Sequence, residues 1–465
     1  MPDNSTCLNY PTRAEESVYL RNSPRLAARI FTLLGLLTMT CAAPGIRAQG
    51  LYRDGVGARS VSLGGADVAY AIDPLGAMTS NPAGLALLSV PQVDADLGFL
   101  SASGDFINAS NPNATLHDAT GFVPDLAFAT PLKGHGIGIG FSIVPDTALA
   151  GTWNYVDPPG GVGGTSYGAQ QIKSEIIAVR AAVGMGVALN KVVSLGVTFG
   201  ADYNENRLRA PYVFQEQPVL MGLKTLLNLK TTGYGWNGTA GILVRPNSKL
   251  RIGLDYNSKT RIKSTGTASG NLDAQFATLG INATPTFHYD AEVTNVFPDA
   301  LSGGVSWNFH PRLRGVGQFD WIRWGAAFQK LPVNLTNGNN ATVNSLVGGT
   351  SIQDFVPLSW QDQHVYRFGL ETLATETSTL RLGFSHANSP VPDSTLTPLT
   401  AAIMKKALSA GWMYRHGRWR FDFAYQHAFD VSQQVGVSDV KSGEFSNSRT
   451  EVAEETFVLT TSYIF

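Results

Sequence analysis

The sequence predicts an all-β protein, an antiparallel transmembrane β-barrel of about 14 strands with an N-terminal hatch, or plug, inside its lumen. Charged residues make up only 15% of the 465 residues and aromatic residues 10%, whereas soluble domains carry roughly 25% charged residues. After residue 45, no apolar run approaches the roughly 18 residues that a membrane helix needs. From residue 90 to the end, apolar and polar side chains alternate with the period of two that is typical of strands.

Residues 1–48 are predicted to be a secretory signal that is removed from the mature protein. An apolar run at residues 30–39 follows Arg21, Arg25 and Arg29, and small residues lead to a cleavage site after Ala48. The run is too short to remain as a membrane anchor. The stretch before it is long for such a signal, which leaves a later translation start open.

Both cysteines of the chain, Cys7 and Cys41, fall in this removed part. Cys41 leaves a lipid-modified N-terminus as an alternative, although Thr38-Met39-Thr40 before it is a poor match to the residues that this modification requires. The mature chain is therefore predicted to contain no disulfide bond and no thiol chemistry.

Residues 49–89 are predicted to form the hatch. Glycine pairs, single aspartates and the turn Asn81-Pro82-Ala83-Gly84 interrupt short apolar pieces, which indicates compact and irregular backbone. Such backbone must satisfy its own N–H and C=O groups, so it needs a polar enclosure. A barrel of this size is too wide to be filled by its own side chains and provides that enclosure.

Residues 90–465 are predicted to form the barrel, because short and long connections alternate along the chain. Six short turns and seven long loops require about 14 strands with both ends on the short-turn side, which is the arrangement of bacterial outer-membrane barrels. Closing the sheet also removes the edge strands that lipid cannot satisfy. The short turns lie near residues 132–136, 189–193, 245–249, 308–313, 374–379 and 415–418. The long loops lie near residues 102–120, 146–171, 207–231, 267–285, 325–362, 388–405 and 430–454.

Two segments need a separate interpretation. Residues 286–297 and 299–309 each look like a strand, but the alternation of turns leaves room for one, so a single strand bent at Pro298 is predicted. Residues 216–229 carry leucines at helical spacing and predict an amphipathic helix in a loop. Its apolar face, with Leu220, Leu223 and Leu227, either packs on a neighbouring loop or offers a landing site for an apolar ligand.

Aromatic residues gather near the predicted strand ends. This placement favours girdles at the two membrane surfaces over ordinary cross-strand packing. The residues include Trp153, Tyr155, Trp236, Trp307 and Trp324.

Motifs that carry catalytic or metal chemistry are absent from the sequence. The eight histidines are scattered, and no pair has metal-ligand spacing with a carboxylate or thiol. There is no Gly-x-Ser-x-Gly motif and no phosphate loop. Asp94 with Asp96, and His386 near Ser385 and Asp393, are interpreted as polar groups of the lumen and loops. The formal net charge of −1 gives no sign of a nucleic-acid partner. We therefore predict neither an enzyme nor a metal or cofactor site.

Several short motifs occur in an order that resembles one known family of outer-membrane proteins. They are Gly64-Gly65-Ala66, Asp73 and Asn81-Pro82-Ala83-Gly84-Leu85 in the hatch, then Phe297-Pro298-Asp299, Gly303-Gly304-Val305, Asp320-Trp321 and Trp324, and, in the last third, Trp360-Gln361-Asp362, Arg367-Phe368-Gly369-Leu370, Arg381-Leu382-Gly383-Phe384, Ser389-Pro390-Val391-Pro392-Asp393 and Ser409-Ala410-Gly411-Trp412. In this order they resemble the FadL-type transporters for long-chain fatty acids and other hydrophobic compounds, which include the toluene-uptake proteins. The resemblance covers nearly the whole mature chain.

The resemblance implies passive uptake of a hydrophobic small molecule such as a fatty acid or a hydrocarbon. Loops capture the ligand, a lumen pocket near the hatch N-terminus holds it, and it leaves sideways through a gap in the barrel wall. Here the capture surface would be the helix at residues 216–229, with Leu51 and Tyr52 reaching the pocket. Asn81, Pro82, Ala83 and Gly84 would be the gating part of the hatch, packed against the wall where the ligand leaves. The gap would lie at Gly136, Gly138, Gly140 and Pro145, or these glycines serve only to fit the hatch against the wall. Arg180 and Arg207 or Arg209 are candidates for holding a carboxylate, with lumen charge or rim contact as the alternative.

The resemblance also implies two partners, and alternative functions stay open. The terminal Phe465 is similar to the aromatic residue that such barrels present to their assembly machinery, and lipopolysaccharide or other outer-membrane lipid would surround the barrel. A polar-solute porin is the main alternative, because a barrel without a working hatch conducts water and ions. An adhesin or an enzyme on a barrel scaffold is a further alternative.

Overall fold

The computed structural model describes residues 51–117, 119–441 and 443–465, with the backbone but not the side chain of Asp146. The predicted signal at residues 1–48, and with it Cys7 and Cys41, lies outside the described residues.

Fourteen antiparallel strands form one closed sheet, which confirms the predicted fold class. Several strands run in two pieces that occupy the same position in the sheet. Their bounds are β1 Gln92–Ile107, β2 Ala114–His117 and Thr120–Leu132, β3 Ile137–Asp157, β4 Gly168–Ala188, β5 Val193–Val213, β6 Lys224–Val244, β7 Leu250–Asn257 and Thr260–Asn271, β8 Thr286–Phe297 and Ala300–His310, β9 Leu313–Ile322 and Lys330–Thr336, β10 Ile352–Pro357 and Gln363–Thr375, β11 Ser378–Ala387, β12 Lys406–His416, β13 Trp419–Val435 and β14 Ser448–Ile464.

The barrel closes where the first strand meets the last. β1 pairs with β14 along its whole length, from Gln92 opposite Ile464 to Ile107 opposite Arg449. The six predicted short turns all join consecutive strands at the end of the barrel that carries Ile464. β8 is one strand interrupted at Pro298-Asp299, because both of its pieces pair with the pieces of β7 and β9 on either side. The bend predicted at Pro298 is confirmed.

The outer surface of the barrel is apolar, and its polar side chains face inward. Outward-facing Phe122, Phe199, Trp236, Phe368 and Leu382 each expose more than half of their surface. This alternation is the pattern of a barrel whose outer face meets lipid. Trp153, Tyr155 and Trp324, in contrast, are buried inside the barrel, so the prediction that they belong to a surface girdle is wrong.

The predicted helix at residues 216–229 is wrong. Residues 218–222 form a turn, and β6 begins at Lys224. β5 extends to Val213 and pairs with this stretch, with Val213 opposite Lys224, so the backbone hydrogen bonds of a neighbouring strand override the helical spacing of the leucines. The strands also run further into the predicted loops than expected, which shortens the loop after β3 to residues 158–167 and the loop after β5 to residues 214–223.

The N-terminal segment, residues 51–90, lies inside the ring of strands. It contains α1 Ala58–Ser62, α2 Pro74–Thr79 and the 3-10 helix Pro82–Leu87. Asp73 caps α2 by accepting a hydrogen bond from the N–H of Gly76 at 2.8 Å. Almost every residue from 57 to 85 is buried, as expected for irregular backbone that is enclosed by a barrel.

The remaining short helices lie in the long connections. α3 Asp273–Leu279 and α4 Ala341–Val347 are at the end of the barrel opposite the short turns, and 3-10 turns occur at Trp324–Ala326, Asp393–Thr395 and Pro398–Thr400. None of the helices among the described residues is long and apolar enough to cross a membrane.

Candidate functional site

The barrel wall is broken between β2 and β3. The two strands pair from Leu132 opposite Ile137 to Leu126 opposite Ile143, and pairing resumes only at His117 opposite Thr152. On its other side β3 stays paired with β4, with a register shift at Pro145 and Thr147. Within the described part of the chain, residues 144–151 therefore have no partner in β2. We call this stretch the pairing break.

The first residues of the N-terminal segment occupy the inner side of the pairing break. Tyr52 forms an antiparallel bridge with Thr147, and the N–H of Ala148 donates to the C=O of Leu51 at 3.1 Å. Arg53 donates to the side chain of Asp125 at 2.7 Å and to the C=O of Pro145 at 3.1 Å. Leu51 and Tyr52 thus supply part of the backbone pairing that β2 does not.

A small apolar cluster fills the pairing break behind them. Leu100 of β1, Val123 of β2 and Ala148 of β3 are buried against one another, with Ile177 of β4 packed on them. The break is therefore closed by side chains from four strands and not by a continuous ladder of backbone hydrogen bonds. Side chains can change rotamer much faster than a paired strand can separate.

Leu51 connects the pairing break to a large apolar cluster in the lumen. Leu51 is fully buried in this cluster together with Trp324, Phe328 and Trp360. The rings of Trp324 and Trp360 lie 5.0 Å apart, and Tyr52 packs on Trp324 at 5.3 Å between ring centroids. The hydroxyl of Tyr52 also donates to the C=O of Pro298 at 3.2 Å, at the interruption of β8.

An apolar cavity of about 130 Å³ lies between this cluster and the long loops. Its walls come from the ends of β3 to β6 and from the outer pieces of β8, β9 and β10, and they include Leu149, Ile176, Leu208, Leu227, Val333 and Trp360. Leu149 also belongs to the apolar cluster that contains Leu51. The cavity and the pairing break are therefore joined by one continuous apolar surface.

The charged side chains of the cavity wall are engaged with protein groups. Arg207 lies 2.5 Å from Glu205 and 3.5 Å from Glu175. Asp354 accepts hydrogen bonds from the hydroxyl of Tyr212 and from two backbone N–H groups of the loop after β5. Glu444 lies 2.7 Å from Lys224. Arg207 is the single basic residue of this wall among the described residues, and its charge is balanced.

A second cavity, of about 180 Å³, lies nearer the short-turn end and is polar. Arg180, Asp255, Gln318 and Arg367 line it together with Tyr52. Arg180 is buried and donates to Asn237 at 2.7 Å and to Thr198 at 2.8 Å. An apolar molecule that moved from the first cavity toward the short-turn end would have to displace water from these groups.

Buried ion pairs attach the N-terminal segment to β9–β13. Arg367 of β10 lies 3.0 Å from Asp54, and Arg420 of β13 lies 3.3 Å from Asp73. Asp73 also pairs at 2.6 Å with Arg59 of the segment itself. Burial raises the pKa of Asp67, which pairs with Arg59 at 2.9 Å, to about 6. Burial also raises the pKa of Asp54, and the neighbouring arginines, Arg367 for Asp54 and Arg59 for Asp67, oppose the rise.

Tyr70 reinforces the attachment. Its hydroxyl donates to Glu371 of β10 at 2.8 Å, and the guanidinium of Arg314 lies 4.0 Å from the centre of its ring. Glu371 in turn binds Arg314 at 3.1 Å and Arg381 at 2.8 Å. The segment is therefore part of a charge network that extends across the inner face of β9, β10 and β11.

The opposite wall meets the segment through glycines. A Cβ atom on any of these glycines would collide with the backbone or side chains of residues 68–86, so the close approach requires glycine. They are Gly138 of β3, Gly186 of β4, Gly196 of β5, Gly241 of β6 and Gly253 of β7.

The Asn81 turn rests on this glycine surface. The amide of Asn81, which is fully buried, donates to the C=O groups of Val68, Ile242 and Leu254 at 2.9, 3.1 and 3.3 Å. Its side-chain oxygen accepts from the N–H of Ala83 at 3.1 Å. The turn thus lies against β4–β7, beside β3 but away from the pairing break.

The residues predicted for the lateral gap lie in different surroundings in the structure. Gly136 lies in the short turn before β3. Gly138 and Gly140 are paired on both sides and accept the close approach of Leu85 and Met78 of the segment. Of the predicted set, Pro145 alone borders the pairing break. Gly138 and Gly140 thus fit the segment against the wall, which is the alternative interpretation of these glycines, and a gap at Gly136, Gly138 and Gly140 stays a prediction.

The residues predicted for ligand binding also lie in different places. Leu227 lines the apolar cavity. Leu220 and Leu223 pack in a neighbouring apolar cluster under the loop after β5, and Arg180 lines the polar cavity. Arg53 and Lys224 were not predicted from the sequence to be functional residues. A basic residue in an apolar stretch, such as Lys224 before Leu226 and Leu227, is the signal that could have drawn attention to it.

Comparisons with known proteins agree with this architecture. The family of outer membrane protein transport proteins described as OMPP1/FadL/TodX matches residues 37–465. The long-chain fatty acid transport protein of Escherichia coli K12 is 23% identical over 79% of this chain and 82% of its own length. The Pseudomonas putida toluene transporter TodX has a TM-score of 0.71 at 19% identity, covering 90% of this chain and 100% of its own. A Pseudomonas aeruginosa FadL homologue has a TM-score of 0.69 at 16% identity, covering 89% and 99%.

Proposed function

Because the chain belongs to the OMPP1/FadL/TodX family and is thus an outer-membrane transporter for hydrophobic compounds, we propose that it takes up neutral hydrophobic molecules through the pairing break. In this proposal the loops admit the ligand, the apolar cavity holds it, and it leaves sideways into the bilayer between β2 and β3. The observation that carries the proposal is the continuous apolar surface from the cavity, through Leu149 and Leu51, to the pairing break.

The chemistry of the cavity supports a neutral ligand over a carboxylate. Arg207 is the one basic group of its wall among the described residues, and Glu205 and Glu175 already balance it. Asp354 and Glu444 add negative charge to the wall. A fatty-acid carboxylate would lose its hydration without gaining a free cation, which is costly in an apolar site.

The contrast between the two cavities supports lateral exit. An apolar ligand gains roughly 25 cal/mol for each Å² that it keeps out of water. Toward the short-turn end it would meet the polar cavity with Arg180, Asp255 and Arg367, whereas at the pairing break it would meet Leu100, Val123 and Ala148. The path through the wall therefore keeps the ligand in apolar surroundings throughout.

Residues 49–89 act as the hatch in this proposal, with Asn81, Pro82, Ala83 and Gly84 as the part that fixes it on β4–β7. Within the hatch, opening requires movement of residues 51–53, since these contact the pairing break, and the side chains of Leu100, Val123 and Ala148 must also rearrange. Residues 1–48 would serve as the export signal. The assembly machinery would recognise Phe465, and lipopolysaccharide or other outer-membrane lipid would contact the outer face.

The test is to obstruct the pairing break with a bulky side chain. Ala148→Trp places an indole among Leu100, Val123 and Ile177, whereas Ala181→Trp puts the same side chain on the exposed face of the neighbouring β4. We expect Ala148→Trp to reduce the uptake of radiolabelled toluene by cells at least about tenfold, because overpacking blocks the exit. Ala181→Trp should transport like the wild type.

Two measurements complete this test. The folded fraction of each variant in the outer membrane shows whether a loss of uptake comes from loss of the barrel. Uptake of dodecanoate, a carboxylate, should be much slower than uptake of dodecanol. Normal toluene uptake by folded Ala148→Trp would overturn the exit path, and dodecanoate uptake equal to that of dodecanol would overturn the preference for neutral ligands.

A further inference from the structure

Lys224 is a fully buried lysine at the start of β6, above the apolar cavity. Its ammonium lies 2.6 Å from a carboxylate oxygen of Asp157 and 2.7 Å from one of Glu444, and it donates to the C=O of Pro158 at 2.9 Å. The side chains of Lys224 and Asp157 are fully buried, and that of Glu444 is 4% exposed. A charge in such surroundings is stable only while its partners are in place.

The three residues come from three different connections. Asp157 directly precedes the loop at residues 158–167, which begins with Pro158, Lys224 follows the loop at 214–223, and Glu444 lies in the loop at 436–447. Further hydrogen bonds converge on the same place. The N–H of Lys224 donates to Gln275 of α3 at 2.8 Å, the amide of Asn108 donates to the C=O of Glu444 at 3.2 Å, and Lys441 N–H donates to Gln215 at 2.9 Å. We call these three loops, held together at Lys224, the cover.

The cover forms one end of the apolar cavity. Phe214 and Gln215 of the loop at 214–223 and Glu444 and Phe445 of the loop at 436–447 all line the cavity. Phe445 also packs against Phe106 of β1 at 6.2 Å between ring centroids. A ligand that enters through this end of the cavity passes between these side chains, which requires the loops that carry them to separate.

The charges of the cluster make it able to open. One ammonium stands between two carboxylates, so without Lys224 two buried acids would face each other and repel. Asp157 is held at the end of β3 by a further bond from the N–H of Tyr167 at 2.8 Å. Glu444 lies on a loop, and its contact with Lys224 is a charged link between that loop and β6. Movement of that loop away from β6 therefore has to break the contact of Glu444 with Lys224.

We propose that Lys224 is a positioning residue that holds the cover closed over the cavity, and that separation of Glu444 from Lys224 admits the ligand. The role of the cavity as the ligand site rests on the proposed function, whereas the closure of the cover by Lys224 does not. No group of the ligand reacts with Lys224. The lysine acts through the position of the loop at residues 436–447.

The first experiment measures opening of the cover without any ligand. Lys441 lies in that loop and is half-buried, so trypsin cleavage after Lys441 in the folded, membrane-embedded protein reports how often the loop leaves its place. We expect Lys224→Met to raise the cleavage rate at least about tenfold, because it leaves two buried carboxylates without a cation. The matched control is Lys230→Met on the same strand, whose side chain is 58% exposed, and it should be cleaved like the wild type.

A charge rescue separates this role from a general loss of packing. The triple variant Lys224→Met, Asp157→Asn, Glu444→Gln has no buried charge left in the cluster, and we expect its cleavage rate to return to within about threefold of the wild type. If Lys224→Met does not fold, Glu444→Ala tests the same link, because it frees the loop and leaves the Lys224–Asp157 pair intact. Its cleavage after Lys441 should rise as well.

Three results would overturn the proposal. They are wild-type cleavage of folded Lys224→Met, a triple variant that stays as open as the single variant, and wild-type protection of Glu444→Ala. Toluene uptake at limiting concentration is measured on the same variants and should rise severalfold where the cover is open. Absence of toluene uptake in the wild type would defeat the proposed function, and the cleavage results would still decide the role of Lys224.

Discussion

The two walls that enclose the N-terminal segment hold it in different ways. On β9–β13 buried ion pairs, such as Arg367 with Asp54 and Arg420 with Asp73, are added to close contacts over glycines of β10–β12. On β3–β7 they are close contacts over glycines and the hydrogen bonds of Asn81. At the pairing break, between these walls, the contacts are reduced to the backbone of Leu51 and Tyr52 and the side chain of Arg53.

The difference indicates which part of the segment can move. Separating one partner of a buried ion pair costs about 3–5 kcal/mol, and several such pairs would have to break together if the whole segment left the lumen. Residues 51–53 are held at the pairing break by one such pair, Arg53 with Asp125, and by two backbone contacts, and a typical hydrogen bond contributes only about 0.5–1.5 kcal/mol net. The segment therefore acts as a fixed body with a short movable end.

The largest effect is expected on the ion-pair side. Arg381 lies 2.8 Å from Glu371 and 2.6 Å from Asp422, and all three side chains are buried. Arg381→Met should lower the free energy of unfolding by about 3–5 kcal/mol, because both carboxylates lose a cation. Denaturant unfolding of the purified barrel measures this change. Arg261→Met, at an exposed position of β7, should change the free energy of unfolding by no more than about 0.5 kcal/mol. Equal effects of the two variants would show that the buried ion pairs do not stabilise the barrel.

A smaller effect is expected on the glycine side. A Cβ on Gly196 would overlap the backbone at Pro82 and Ala83, whereas a Cβ on Gly317 would meet only Phe368, at 3.9 Å. Gly196→Ala should therefore cost about 1–3 kcal/mol of stability through overpacking, and Gly317→Ala should be close to neutral. The same unfolding measurement applies. Equal stability of the two variants would mean that the segment does not rest on the glycine surface.

The smallest effect is expected at the pairing break. Tyr52→Phe removes the hydrogen bond to the C=O of Pro298 but keeps the ring against Trp324. Global stability should fall by about 0.5–1.5 kcal/mol or less, while hydrogen exchange at the N–H of Ala148 should speed up because its partner Leu51 is less firmly held. A loss of stability as large as that of Arg381→Met would show that residues 51–53 are not a movable end.

The barrel could be predicted from the sequence because its signals are local. The alternation of side chains and the short turns around residues such as Pro246 and Pro311 depend on neighbours in the chain, and they gave the strand number and the bend at Pro298. The prediction of a helix at residues 216–229 was wrong. The spacing of Leu220, Leu223 and Leu227 fits a helix when the local sequence is considered by itself, but pairing with β5 decides the secondary structure of this stretch.

The candidate site could be predicted only in part. The burial of residues 51–90 follows from their irregular pattern. Leu51 lies in the apolar cluster and Tyr52 packs against it, and the prediction that they reach a ligand stays a prediction. The position of the pairing break depends on how far β2 follows β3, and no local signal marks Ile143 as the last paired residue. The partners of Lys224, Asp157 and Glu444, are far apart in the chain, so only the folded structure brings them together.

Photochemical labelling of the path tests most directly whether the ligand leaves through the pairing break. A toluene analogue that carries a diazirine is added to cells with the wild-type protein, activated by light, and its adducts are mapped by mass spectrometry. We expect adducts on residues of the apolar cavity and on Leu100 and Val123 at the pairing break. Adducts on Gln318 and Ser302 in the polar cavity, with none on Leu100 or Val123, would contradict it.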